Sequence, residues 1–152
     1  MKYYLDCEFD GLGGDLLSMA IVSEFGRSMY VVMDQAACDP WVQTHVVPLL
    51  ANAQLNVPYP CIFGADAEQL STALETYFEG ENEIHIVADW PDDINYLCNA
   101  LVTGPGTMIN IPGITFEVVR VNAYPTDLPG AVQHNAWWDA MALRHLMLKG
   151  AR

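Results

Sequence analysis

The chain has 152 residues, enough for one domain with a sizeable core and too few for two comfortable ones. With 52% hydrophobic and 16% charged residues, its composition is that of a globular protein and excludes a disordered one. Six Lys and Arg against nineteen Asp and Glu leave a net charge of −13, which excludes a basic nucleic-acid coat and disfavours attachment to an anionic membrane.

In chain order, Tyr3–Phe9 reads as a strand, broken by Gly11, Gly13 and Gly14. Leu16–Phe25 and Arg27–Met33 are apolar and β-branched, with a hairpin turn at Glu24-Phe25-Gly26-Arg27. Asp39-Pro40 is a helix-start signal, an N-cap acid followed by proline at the first helical position. A short helix follows over Trp41–Val47, stopped near Pro48, and Asn52–Pro60 is loop-like. Asp66–Phe78 carries Leu70, Ala73, Leu74, Tyr77 and Phe78 at helical spacing and ends at Gly80. Ile84–Ala88 is a strand. Pro91 opens a helix whose apolar side holds Ile94, Leu97, Cys98 and Leu101. Gly104–Gly113 is loop, Ile114–Val121 alternates as a strand, and Asn122–Gln133 is a second loop. His134–Lys149 closes the chain as an amphipathic helix. The order βββ-α-α-β-α-β-α predicts a mixed α/β fold, and no linker, repeat or low-complexity run divides residues 1–152.

Cys7, Cys38, Cys61 and Cys98 form no C-x-x-C pair and sit among apolar neighbours, so reduced, buried thiols are expected. No run approaches about eighteen apolar residues, so no spanning helix is expected. Asp6 falls where a signal peptide would have its apolar core, and a cytoplasmic protein is expected.

Three places put acids where apolar patterning calls for burial. Alternation along the first strand places Asp6 and Glu8 on one face, about 6.6 Å apart, and Leu5, Cys7 and Phe9 on the core face. Two carboxylates that close repel unless a proton or cation sits between them; the bland alternative is a solvated acidic face. Asp89-Trp90-Pro91-Asp92-Asp93 follows a strand at its carboxyl end, where α/β proteins bind ligands. Asp89 can cap the helix and Asp92 can complement its dipole, but Asp93 lies on the side of Leu97 and Leu101. Asp139 heads the series Asp139, Leu143, Met147, again on a face patterned for burial. His134 lies five residues earlier, about 140° off that face on an ideal helix, so it must sit in the preceding loop or first turn and swing in.

As an ordered set, Asp6-Cys7-Glu8-Phe9-x-Gly11-Leu12, an Asp after a middle strand, and His134-Asn135-Ala136-x-x-Asp139 resemble the DEDDh 3′–5′ exonuclease superfamily. The stretch Trp41-Val42-x-Thr44-His45-Val46-x-Pro48 and the small size resemble its compact bacterial and phage exoribonucleases, typified by a small mycobacterial enzyme. The resemblance implies a ribonuclease-H-like mixed sheet flanked by helices. It implies Asp6, Glu8, Asp93 and Asp139 as ligands of two Mg²⁺ or Mn²⁺ ions, with Asp89 and Asp92 as alternatives to Asp93. His134 is then the general base, and Leu12, with Phe9, meets the terminal bases. Two-metal hydrolysis of a phosphodiester suits such a set, since hard cations prefer oxygen ligands. Single-stranded RNA 3′ ends are the expected substrate, with single-stranded DNA as alternative, and a homodimer is expected. With few cations, grip on substrate falls to the metals and to stacking, for which Phe9, Trp41, Trp90, Trp137 and Trp138 are candidates, the favoured alternative for these aromatics being packing in the core or a dimer. The competing class is a non-catalytic acidic protein that mimics nucleic-acid charge, which would spread its acids over exposed faces.

Overall fold

The computed structural model describes residues 1–55 and 61–150, and the expected loop over Asn52–Pro60 lies partly outside them. Three strands open the chain: β1 (Lys2–Phe9), β2 (Leu16–Ser23) and β3 (Ser28–Met33), joined by antiparallel pairing. The turn between β2 and β3 closes with Ser23 N–H to Arg27 O at 2.7 Å. A short helix α1 (Pro40–His45) follows, capped by the Asp39 carboxylate, which accepts from the N–H groups of Trp41 and Val42. A 3₁₀ segment spans Val47–Leu55. Strand β4 (Cys61–Ala65) pairs parallel to β3 at the sheet edge. Helix α2 (Ala67–Phe78) begins in a reciprocal cap between Asp66 and Gln69. Strand β5 (Glu83–Ala88) pairs parallel to β1, and helix α3 (Pro91–Leu101) follows it. A two-strand ribbon, β6 (Val102–Gly104) with β7 (Thr107–Met108), leads to β8 (Gly113–Val118), which pairs parallel to β5. Helix α4 (Ala136–Leu148) closes the described chain.

The sheet order is β4-β3-β2-β1-β5-β8, a six-stranded mixed sheet with β1 inside it. One face packs on α2 and α3 through Tyr3, Leu5, Met19, Ile21, Val31, Leu74 and Leu97. The other packs on α4 through Ala20, Val22, Tyr30, Ala136 and Ala140. The mixed α/β class expected from the sequence is therefore what forms. No helix among the described residues is long and apolar enough to cross a membrane.

Several expectations need correction. β4 has no counterpart in the expected order of elements, because Gly64 interrupts its short apolar run and it pairs with a single neighbour. The loop over 104–113 contains β7 and the end of β6. α4 starts at Ala136, two residues after His134, because Asn135 takes the N-cap position with its side chain accepting from Trp138 N–H at 3.1 Å. The cysteines are unpaired, but Cys38 is exposed, since it lies in the irregular chain before α1 and its Sγ touches only a carbonyl two residues back. Trp137 and Trp138 are buried against the β2–β3 face, so neither is free to stack on a ligand.

Candidate active site

The acids meet at the carboxyl ends of β1 and β5. On β1, Tyr4, Asp6 and Glu8 point to the side covered by α4, where Tyr4 packs with Val87 and Leu143. Beyond Tyr4 the apolar cover stops and the acids begin. Cys7, on the opposite side, is core, and its backbone N–H donates to Asp93 Oδ1 at 3.2 Å. That bond draws the first turn of α3 onto β1 and turns the Asp93 carboxylate toward Asp6. Asp89 does not cap α3: the N-cap is Trp90, with no side-chain hydrogen bond, so the Asp89 carboxylate is left to the cluster. Asp92 accepts from Trp90 Nε1 at 3.0 Å on the rim.

Two carboxylate triads result, Asp6–Asp89–Asp93 and Asp6–Glu8–Asp139. In each, one oxygen per residue lies within 4.8 Å of the others, and Asp6 belongs to both. All four expected acids come together, and Asp89 joins them as a fifth; Asp92 is in neither triad. Burial, then mutual repulsion, pushes their carboxyls up. Asp6 lies well above the usual range, with Asp93 its strongest charged neighbour. Burial and the charges of Asp139 and Asp93 raise Glu8 to about 8. Burial and Asp89 raise Asp93 to about 8, and burial raises Asp139 to about 7. Asp93 Oδ2 and Asp139 Oδ1 are buried with no hydrogen-bond partner. Buried acceptors left bare are costly, and a proton shared between the acids or a cation would relieve them.

His134 occupies the left-handed region at φ 63°, alone among the described non-glycine residues. Its backbone N–H donates to Asp139 Oδ2 at 2.8 Å. The swing demanded by the five-residue spacing is thus achieved by one strained residue just ahead of the Asn135 cap. Asn135, fully buried, also donates to Leu49 O at 2.8 Å and so ties the helix start to the 3₁₀ segment. The His134 ring meets Trp41 edge to face at 5.1 Å, and burial, with His45 nearby, lowers its pKa below 6.5.

A cleft of 740 Å³ runs over the acids, walled by Phe9, Leu12, Trp41, Trp90 and His134. Leu12 is 97% exposed on its rim. The rim is tied to β1 by Asp10, whose carboxylate accepts from Cys38 N–H at 2.7 Å and Asp39 N–H at 2.8 Å. Gly14 closes the rim loop: a Cβ there would lie 1.8 Å from Asp10 O, so no other residue fits without moving the backbone. Phe9 stacks on Tyr96 at 5.0 Å and forms a wall more than a free platform.

A second cavity of 310 Å³ reaches Asp6, Asp89 and Asp139 from the side of Tyr124, Gln133 and Leu146. The Tyr124 hydroxyl is buried there without a hydrogen-bond partner, and burial plus Asp139 raises its pKa. Nothing in the spacing of residues 119–133 signals Tyr124, because an irregular segment has no period to betray which side chain turns inward. Asp89 carried a readable signal, its place at the end of a strand.

No protein-family model matches this chain, and no curated protein matches it.

Proposed function

We propose that the protein is a metal-dependent 3′–5′ exonuclease that releases nucleoside monophosphates from single-stranded 3′ ends, RNA in preference to DNA. The observation that carries this reading is the pair of carboxylate triads sharing Asp6, with His134 on the same cleft. The oxygen-only donor set and the two bare buried oxygens, Asp93 Oδ2 and Asp139 Oδ1, fit hard divalent cations such as Mg²⁺ or Mn²⁺. Asp6, Glu8, Asp93 and Asp139 would hold them, with Asp89 completing the first triad. Bound there, such ions would supply Lewis-acid activation of water and stabilisation of negative charge at the phosphate.

The chain's own residues have separate tasks. His134, whose pKa is lowered by desolvation and by His45, accepts the proton of the attacking water; such assistance is worth roughly 10²–10⁴-fold. The Asp139 carboxylate is oriented by the His134 backbone N–H, and Asp93 by Cys7 N–H. Leu12 and Trp41 stand over the cleft where an unpaired terminal base would lie, and stacking tolerates any base. The convergence of the acids into one pocket also argues against a charge mimic, which needs them spread over the surface. The preference for RNA rests on the motif resemblance.

The test is a 5′-labelled single strand incubated with Mn²⁺. A ladder shortening one nucleotide at a time from the 3′ end, absent in Asp6→Asn and in EDTA, is expected; parallel RNA and DNA strands rank the substrates. Tight, cleavage-free binding to a basic protein, with both strands left intact, would sink the reading.

A further inference from the structure

The cations of this acidic chain are nearly all engaged. Lys2 pairs with Glu117 at 3.4 Å and Arg27 with Glu81 at 2.8 Å. Lys149 pairs with Asp127, and Arg144 donates to the carbonyls of Ser23 and Glu24. Of the Lys and Arg side chains among the described residues, only that of Arg120 has neither an ion pair nor a hydrogen bond.

Its position is set by the sheet. Val119 N–H donates to Ala88 O at 2.9 Å, carrying the β5–β8 pairing one residue past Val118. Continued one step further, the register sets Val119 opposite Asp89 and Arg120 opposite Trp90, at the carboxyl ends of two neighbouring parallel strands. Val119 and Val121 pack with Tyr4, Val87 and Leu143 on the α4 side, and alternation turns Arg120 to the α3 side. There it lines a cleft of 430 Å³ with Asp89, Trp90, Pro91 and Asp92. Asp89, Trp90 and Asp92 also line the 740 Å³ cleft over the acids, so the two spaces adjoin at this turn. Trp90 is 53% exposed, and its Nε1 bond to Asp92 fixes the ring.

A guanidinium left open beside an acid cluster is matched by a ligand that brings its own anion past those acids. An exposed, fixed indole next to it is matched by a flat ring. A nucleotide has both. We propose that Trp90 and Arg120 form a subsite for the nucleotide next to the scissile bond, the base stacking on Trp90 and its phosphate held by Arg120. The subsite rests on the exonuclease reading and extends it: the substrate is a strand with at least one phosphate besides the reacting one.

The experiment compares a five-nucleotide single strand with bis(p-nitrophenyl) phosphate, which carries only the reacting phosphate, both with Mn²⁺. Arg120→Gln is expected to raise KM for the strand about tenfold more than for the small diester. It should also flatten the salt dependence of log kcat/KM for the strand by about 0.7, the slope of one single-strand phosphate contact. Trp90→Ala should weaken the strand about tenfold, with most of that restored in Trp90→Phe. Equal KM changes for both substrates with an unaltered salt slope would overturn the subsite while leaving the exonuclease standing. Failure of the wild-type protein to hydrolyse either substrate overturns the exonuclease reading and the subsite with it.

Discussion

The two faces of β1 are built on opposite terms. Tyr3, Leu5 and Cys7 meet α2 and α3 in a closed apolar core. One residue out of phase, Tyr4, Asp6 and Glu8 begin as core under Leu143 and end as crowded, buried acids. The strand is the same; what differs is the parity of the side chain. The difference teaches that the core face carries the stability and offsets the repulsion stored on the other. Substitutions on the two faces should therefore move stability and activity in opposite ways.

The largest expected effect is that of Asp6→Asn. Both triads lose their shared member, so Mn²⁺-dependent hydrolysis should fall by about 10⁴-fold or more, several kcal/mol of transition-state stabilisation. The metal-free protein should melt no lower than wild type, because a buried like charge is removed; a collapse of stability would make Asp6 part of the scaffold. Next comes His134→Gly, for which single-turnover kinetics should show a loss of about 10²–10⁴-fold. Its melting temperature should hold or rise, since glycine accepts φ 63° without strain. Full activity in this variant would remove the base from the imidazole.

On the core face, Leu5→Ala should cost about 2–5 kcal/mol in urea unfolding, with metal binding per folded molecule unchanged. The pH dependence sharpens the contrast. Glu8 and Asp93 at about 8 and Asp139 at about 7 stand above their unfolded values near 4. The folded state thus holds more protons than the unfolded one between about pH 4 and 8, and stability falls as pH rises through that window. Metal-free protein should melt higher at pH 5 than at pH 8, and Mn²⁺ should raise the pH 8 value most. Equal melting temperatures with and without Mn²⁺ at pH 8 would break the link between the acids and a cation. The smallest effect is that of Asp89→Asn: a rise in metal-free melting temperature below that of Asp6→Asn, with weaker Mn²⁺ binding by calorimetry.

Much of this was legible because period and burial agree. Alternation in Tyr3–Phe9 separated the acids from the core, and Asp39-Pro40 marked α1 without ambiguity. Asp93 and Asp139 stood out as acids on apolar helix faces. Where local and tertiary demands diverge, the sequence misleads. Trp137 and Trp138 offered themselves as platforms or as packing residues, and the small residues Ala20 and Ala136 leave room for the indoles to bury. Asp89 satisfies the rules of a cap, but the chain places Trp90 at that position. β4 needs its β3 partner to be recognised, and Tyr124 sits in a segment with no periodicity.

The acids come from the first strand, from the turn into α3, and from the last helix. A nascent chain therefore emerges with Asp6 and Glu8 long before Asp139 exists. It can hold neither the full charge nor the full chemistry until α4 has docked across the sheet. On the proposed reading, cutting waits on the docking of α4, which brings Asp139 to the acids of β1.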